Sequence, residues 1–337
     1  MHQSSSIEKT SRTDVRAKHV IFSVILFCIS TVVALGAMEG ILRIKNYSMT
    51  NYDIEMWRYA KELKIPSEDP RLGHEHIRNA SALLQSVTIR TNEWGLRGGP
   101  VPSRDLAVRR ILFLGGSITL GWGVAEQDTL TERLARMFAE RGEKVEVLNA
   151  GIGNYNAERY VERFFRDLTG LQPSDIVVNY FLRDAETLDA GGGNIFLRNS
   201  ELAVTLWIAA TRLLGKTGER SITDHYKAVY ADNKPGFLAM QASLRKLAEY
   251  ARSNGIRLYL AMTPDVHNLA HYELGDIHEI MRRIAAEDGY VYVDLLPAFG
   301  TLAPEQVWAM PGDPHPNALG HELMAKALFP IIAKTPH

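Results

Sequence analysis

Three side chains in this sequence have the chemistry to break an ester or amide bond if folding brings them together. Ser117 closes the apolar run ILFLGGS, and Asp313 and His315 stand two positions apart in GDPHPNALGHE. A serine hydroxyl is a weak nucleophile until a base takes its proton. An imidazole serves best as that base when a carboxylate holds its tautomer and stabilises the cation that forms. Pro314 and Pro316 stiffen the loop between them. Both side chains can then turn toward one pocket, His315 accepting the Ser117 proton on one ring nitrogen while Asp313 accepts from the other. Gly115 and Gly116 let the backbone turn sharply and leave the Ser117 amide free for a developing oxyanion. The plain alternative is a strand that ends in Gly and Ser for turn reasons alone. The serine does not sit in a lipase-type G-x-S-x-G elbow, because position 119 is Thr. A phosphate loop is also excluded, because no Lys follows at the required spacing.

The elements around these residues read as strands alternating with helices. From residue 110 the strand candidates are RILFLGGS, KVEVLNAG, DIVVNYFL, IRLYLAM and YVYVDL, and amphipathic stretches near 129–141 and 157–168 separate the first three. Short runs rich in Val, Ile, Leu and Tyr, each followed by a helical stretch, predict a parallel sheet covered on both faces. Ligands bind such sheets where the carboxyl ends of strands meet helix N-termini. Ser117, Gly153 with Asn154, and Arg183 with Asp184 all fall there. Before the sheet, residues 45–109 form a membrane-proximal lead-in in which Val87, Ile89 and Thr91 alternate as a short strand and 92–99 has turn composition. Within an insertion at 185–233, Leu202, Leu206, Trp207, Leu213 and Leu214 line one helical face. That face suits either packing on the domain or a lid or membrane-contacting role.

Bulk composition narrows the function classes. The chain has 337 residues, a net charge of -1 and a single cysteine, Cys28. Cys-rich metal modules are thereby excluded, and no basic stripe suggests nucleic-acid binding. Residues 1–18 are polar, Ser/Thr-rich and charged, which suits a disordered cytoplasmic tail. Residues 20–38, VIFSVILFCISTVVALGAM, carry no charge, and at ~1.5 Å per residue a helix of that length just spans a ~30 Å hydrocarbon core. Lys9, Arg12, Arg16 and Lys18 precede it, which orients the N-terminus to the cytoplasm and places everything after the anchor (19–44) outside. A cleaved signal peptide, with Ala34-Leu35-Gly36 as the site, and a buried core helix are the alternatives to an uncleaved anchor.

The blocks GGSITLGWGV, NAGIGNYNAE, FLRDAE and DPHPNALGHE resemble, in order and separation, those of the SGNH (GDSL-type) hydrolases over about residues 110–330. NEWGLRG looks like the lead-in of membrane-anchored, envelope-facing members, and TPDVHNL is similar to a pocket loop of those members. The resemblance implies an α/β fold, a flavodoxin-like three-layer sandwich on a five-stranded parallel sheet, preceded here by one transmembrane helix, with the hydrolase domain at 110–334. It implies that Ser117 is the nucleophile and its amide the first oxyanion donor. Asn154 or Gly153 would supply the second, and Asp313 and His315 the acid and base. Two departures stand out. The Asp that usually precedes the serine is Gly116. Arg183 occupies the position of the family's oxyanion-donating Asn, where it can either donate to the oxyanion or pair with Asp184 or Glu186.

The function implied is a serine esterase that forms an acyl-enzyme on Ser117 and needs no cofactor or metal. Its substrate would be an O-acetyl or other small acyl ester, carried by an envelope or exported glycan. An O-acetyltransferase is one alternative, and would call for a membrane protein as acyl donor. The other is a non-catalytic glycan-binding protein whose oxyanion hole has degenerated at Arg183. Trp122, Tyr155 and His267 are candidate pocket residues, more weakly supported than the triad, and for Trp122 a packed core aromatic is the favoured alternative. His267 and His271, four apart near Asp265, form a poor metal site because no further ligand spacing supports them. His74-Glu75-His76 lacks helical spacing and reads as surface.

Overall fold

A computed structural model of the protein describes residues 4–188, 197, 199–215, 221–311 and 315–334. The chain divides into two compact units, Met1–Ile54 with Gly193–Gly215, and Glu55–Gly192 with Lys216–His337.

In chain order the helices are α1 (Ser4–Asn46), α2 (Tyr52–Glu62), α3 (Ser117–Leu120), α4 (Leu130–Glu140), α5 (Ala157–Arg163), α6 (Glu201–Gly215), α7 (Ile222–Val229) and α8 (Pro235–Ser253). They continue with α9 (Gly275–Asp288), α10 (Leu296–Phe299), α11 (Pro304–Val307) and α12 (Ala318–Ala333). The strands are β1 (Lys64–Pro66), β2 (His74–His76), β3 (Ser81–Leu84), β4 (Val87–Arg90), β5 (Arg109–Gly115), β6 (Val145–Asn149), β7 (Asp175–Tyr180), β8 (Arg257–Met262) and β9 (Val291–Asp294).

The first unit joins α1 to α6. Residues 4–18, expected as a disordered tail, are instead the start of α1. Lys18–Asn46 is apolar and long enough to cross a membrane, and its most apolar 18-residue window is wholly unburied. This overturns the core-helix alternative and leaves a membrane span or a signal sequence. Glu39 of α1 caps α6, accepting from the backbone N–H of Glu201 (3.1 Å) and Leu202 (2.9 Å) and from the Ser200 hydroxyl (2.9 Å). Leu206, Trp207 and Leu213 of α6 stay exposed. The side chain of Leu214, predicted on the same face, lies outside the described residues.

The second unit is built on the predicted sheet. β5 to β9 are all parallel, in the order β6-β5-β7-β8-β9. Every residue of β5 and β7 is buried, whereas the edge strands β6 and β9 are partly exposed. Apolar side chains on both pleats of a central strand need a cover on each face. Helices α4 and α12 pack together, and α8 packs against both α5 and α9. After β5 the chain crosses to β6 on one side and then returns to β7 on the other, so the reversal of strand order falls between the carboxyl ends of β5 and β7. Two antiparallel ribbons from the lead-in, β1–β2 and β3–β4, belong to the same unit.

The amino ends of the central strands are tied by charge. Asp175, fully buried at the start of β7, accepts from Arg109 of β5 (2.8 and 2.9 Å) and from Arg257 of β8 (2.8 and 2.9 Å). Burial alone would raise its carboxyl, but the two guanidiniums outweigh that and hold it below its usual value. A depressed carboxylate stabilises the fold above its unfolded-state value, and that contribution is lost as the pH falls through the folded-state value. Asp175→Asn is expected to cost about 3 to 5 kcal/mol, because two buried guanidiniums lose their counter-charge. Urea unfolding at pH 7 checks this, and the gap between parent and variant should narrow in acid. An unchanged midpoint would contradict the role.

Candidate active site

The site begins where β5 stops. A Cβ on Gly115 would lie 2.1 Å from Thr119 Oγ1 and 2.8 Å from the Asn179 carbonyl, so only glycine lets α3 fold back onto the strand end. That places Ser117 as the first residue of α3, half-buried, with its backbone N–H unpartnered among the described residues. The turn is braced from beneath. Asn149 Nδ2 donates to the Thr119 carbonyl (2.7 Å), Asn179 Nδ2 donates to Thr119 Oγ1 (3.1 Å), and the Thr263 hydroxyl donates to Asn179 Oδ1 (2.9 Å).

The histidine arrives from the far end of the chain. His315 Nε2 lies 2.6 Å from Ser117 Oγ, and His315 is buried. Its loop is held by a bridge between Trp308 and Pro316, by the Ala309 N–H on the His315 carbonyl (2.8 Å) and by the Asn317 N–H on the Val307 carbonyl (2.7 Å). Asn317 then caps α12, accepting from the N–H groups of Leu319 and Gly320. Asp313, predicted as the acid, lies outside the described residues.

Arg97 of NEWGLRG forms a clamp that sequence reasoning did not find. Its guanidinium, almost wholly buried, donates to the carbonyls of Leu120 (2.5 Å), Gly121 (2.6 Å) and Val124 (2.6 Å), which are the loop that follows the serine. Burial pulls the guanidinium down to about 10, which leaves it charged at neutral pH. Among the described residues its Nε has no partner. A planar fork of donors is the one side chain that can hold three carbonyls of a turn at once.

The second block divides its two candidate donors. Gly153 donates its N–H to Tyr59 Oη (2.9 Å) and is therefore already satisfied. Asn154 is exposed, adopts φ +65°, and has no hydrogen-bond partner for its N–H among the described residues. Asn tolerates the left-handed region better than most residues. The available second amide is therefore that of Asn154. Arg183 sits on a 3-10 turn after β7, half-exposed, with its Nε on Glu186 (3.2 Å), and Glu186 in turn bonds His225 (2.8 Å). Asp184 is buried instead and accepts from the Phe181 N–H, and burial pushes its carboxyl up to about 8.

Of the pocket candidates, Trp122 takes the packed alternative and Tyr155 is buried as well. Trp122 is 1% exposed and packs on Tyr59, and Tyr155 is buried with its hydroxyl on the His74 carbonyl. Both are large apolar rings that the core claims first. His267 is partly exposed, paired with Asp265 (2.8 Å) and edge-on to Trp308, whereas His271 is exposed. His76 is fully enclosed and His74 mostly so, contrary to the surface reading. The missed signal was strand spacing, since residues two apart share a face of an extended segment.

A parallel α/β sheet with a serine and a histidine joined by a hydrogen bond at its carboxyl edge is the architecture of an ester-hydrolysing enzyme. The chain belongs to the GDSL-like lipase/acylhydrolase family, whose model matches residues 113–323. Among solved structures it is similar to a catalytic mutant of an acetylxylan esterase from Geobacillus stearothermophilus, at 16% identity, 67% of this chain, 95% of that one and a TM-score of 0.46. It is also similar to a two-domain esterase active on acetylated mannans, at 18% identity, 67% of this chain, 49% of that one and a TM-score of 0.42. No curated protein sequence matches the chain.

Replacing Arg97 by Met strands three carbonyls of the loop behind the serine. The expected cost is about 2 to 4 kcal/mol of stability, with a lower kcat and a smaller change in KM. Denaturant unfolding and steady-state kinetics on an activated acetate ester check it, and parent-like values in both would remove the clamp.

Proposed function

We propose that the protein is a serine esterase that works through an acyl-enzyme, and the single observation that carries this is the 2.6 Å contact between His315 Nε2 and Ser117 Oγ. In this reading His315 takes the hydroxyl proton as Ser117 attacks the ester carbonyl. The tetrahedral oxyanion meets the amides of Ser117 and Asn154, and the alcohol leaves with the proton from His315. Water then repeats the sequence in reverse to free the acid. Asp313, two residues before His315, is the acid that would hold the imidazole, and Arg183 adds positive charge at the rim.

A small acyl group on a larger carrier is the substrate class this reading favours. Ser117 is half-buried, and Asn154 and Arg183 are exposed. An ester displayed on a polymer can reach such a shallow edge, whereas a long acyl chain needs an apolar tunnel. With the apolar stretch of α1 as an uncleaved anchor and the basic residues before it in the cytoplasm, the domain would act on O-acyl esters of envelope or exported glycans.

Full-length protein in detergent micelles, assayed on a chromogenic acetate ester, is expected to lose at least about a thousandfold of its kcat in Ser117→Ala. A variant that matches the parent defeats the proposal. Supplying an acetylated donor with a glycan acceptor separates hydrolysis from transfer. Free acetate is the expected product, and an acetylated acceptor would assign the protein as a transferase.

A further inference from the structure

The backbone of Gly153 is gripped by three side chains of the lead-in. Its carbonyl, on Gly153, accepts from Lys64 Nζ of β1 (2.7 Å) and lies 3.0 Å from His74 Nε2 of β2. The preceding N–H, also on Gly153, donates to Tyr59 Oη of α2 (2.9 Å). That hydroxyl in turn donates a hydrogen bond to His76 Nε2 (2.6 Å), and His76 Nδ1 donates to the Gly95 carbonyl (2.9 Å). The donors and acceptors close consistently with both imidazoles neutral. A Cβ on Gly153 would lie 2.5 Å from the Tyr59 ring, so the contact admits only glycine.

A trans peptide is planar, and its C=O and N–H point in opposite directions. Fixing the Gly153 carbonyl toward Lys64 and His74 therefore aims the Asn154 N–H away from them. That N–H has no hydrogen-bond partner among the described residues. We propose that Lys64 and His74 are positioning residues for the oxyanion hole: Lys64 polarises the Gly153–Asn154 peptide through its carbonyl and so strengthens the Asn154 N–H as a donor. This rests on the esterase reading and deepens it. A cation on the carbonyl side draws electron density through the amide, and in a site of low dielectric the effect is largest.

The chemistry of the cradle agrees. A neutral donor would be enough to satisfy the carbonyl, yet the chain buries an ammonium there, with no salt bridge to a carboxylate among the described residues. Facing Lys64 are the Tyr59 ring from α2 (4.2 Å to its centroid), His74 and His76 from β2, and Arg159 from α5. Burial, aided by Arg159, brings the ammonium down to about 7. Burial and the charge of Lys64 bring His74 down to about 3, so His74 stays a neutral donor. The Lys64 charge is therefore present below about pH 7 and is lost as the pH rises through that value. Because the group is held below its unfolded-state value, the charge also costs stability there. A residue kept only for the fold would lower the melting temperature when removed. Lys64→Met should leave it unchanged or raise it.

The test measures labelling of Ser117 by a fluorophosphonate in the full-length protein. Ser117 Oγ bonds to phosphorus, fluoride leaves, the serine proton passes to His315, and the phosphoryl oxygen takes the oxyanion position. At pH 6.5, Lys64→Met and Lys64→Gln are each expected to label about tenfold more slowly than the parent, and the gap should close above pH 8. Ester kinetics should show the loss in kcat, with KM within about twofold. Equal labelling of the parent and either variant at pH 6.5 overturns the proposal while leaving the esterase reading intact. A folded parent that does not label at all overturns both. Should Lys64→Met fail to fold, Lys64→Gln and the parent's own pH dependence decide, and a parent whose labelling rises without a break through pH 7 to 8 counts against the proposal.

Discussion

A hydrogen bond between two side chains 198 positions apart is the constraint that the rest of this domain serves. Closing so long a loop is entropically unfavourable, and a hydroxyl–imidazole contact contributes too little to do it alone. The contact forms because each partner is placed by something far stronger. Ser117 sits at the end of a strand buried along its whole length, where Gly115 forces the chain back on itself. His315 sits between a backbone bridge to residues 308–309 and a helix cap at Asn317. The reactive pair is thus a by-product of a sheet and two loop braces.

The two ends of that sheet are held by different physics. At the amino ends a buried carboxylate gathers two guanidiniums and ties β5, β7 and β8 at their starts. At the carboxyl ends the braces are neutral, with Asn149, Asn179, Thr119 and Thr263 exchanging amide and hydroxyl bonds beneath the nucleophile. A full charge there would compete with the oxyanion for the same donors. Two cations near that edge, Lys64 and Arg97, are instead buried and held on backbone carbonyls. Both cations come from the lead-in, which thereby braces the loops at this strand end.

The departures from the family pattern also become intelligible. Without the usual Asn in the third block, the exposed Arg183 is engaged by Glu186, which is itself held by His225. Under the proposed mechanism, the backbone amides of Ser117 and Asn154 would then carry more of the oxyanion stabilisation.

The sequence by itself determined the sheet and the placement of Ser117 at the end of its first strand. Five apolar runs separated by helical stretches can bury both faces only as a parallel sheet, and the spacing of Gly-Gly-Ser and Asp-x-His-Pro-Asn along that sheet leaves few places for them but one edge. Local pattern also gave the apolar stretch of α1, since hydrophobic length needs no partner to be read. What only the tertiary structure decided was the fate of residues whose roles depend on neighbours distant in the chain. Trp122 and Tyr155 look like pocket aromatics until the lead-in closes over them, and His74 and His76 look like surface until a two-residue period turns them inward. Lys64 carries no signal at all in one dimension. A lysine reads as solvated until a glycine carbonyl 89 positions away supplies the acceptor that makes its burial tolerable.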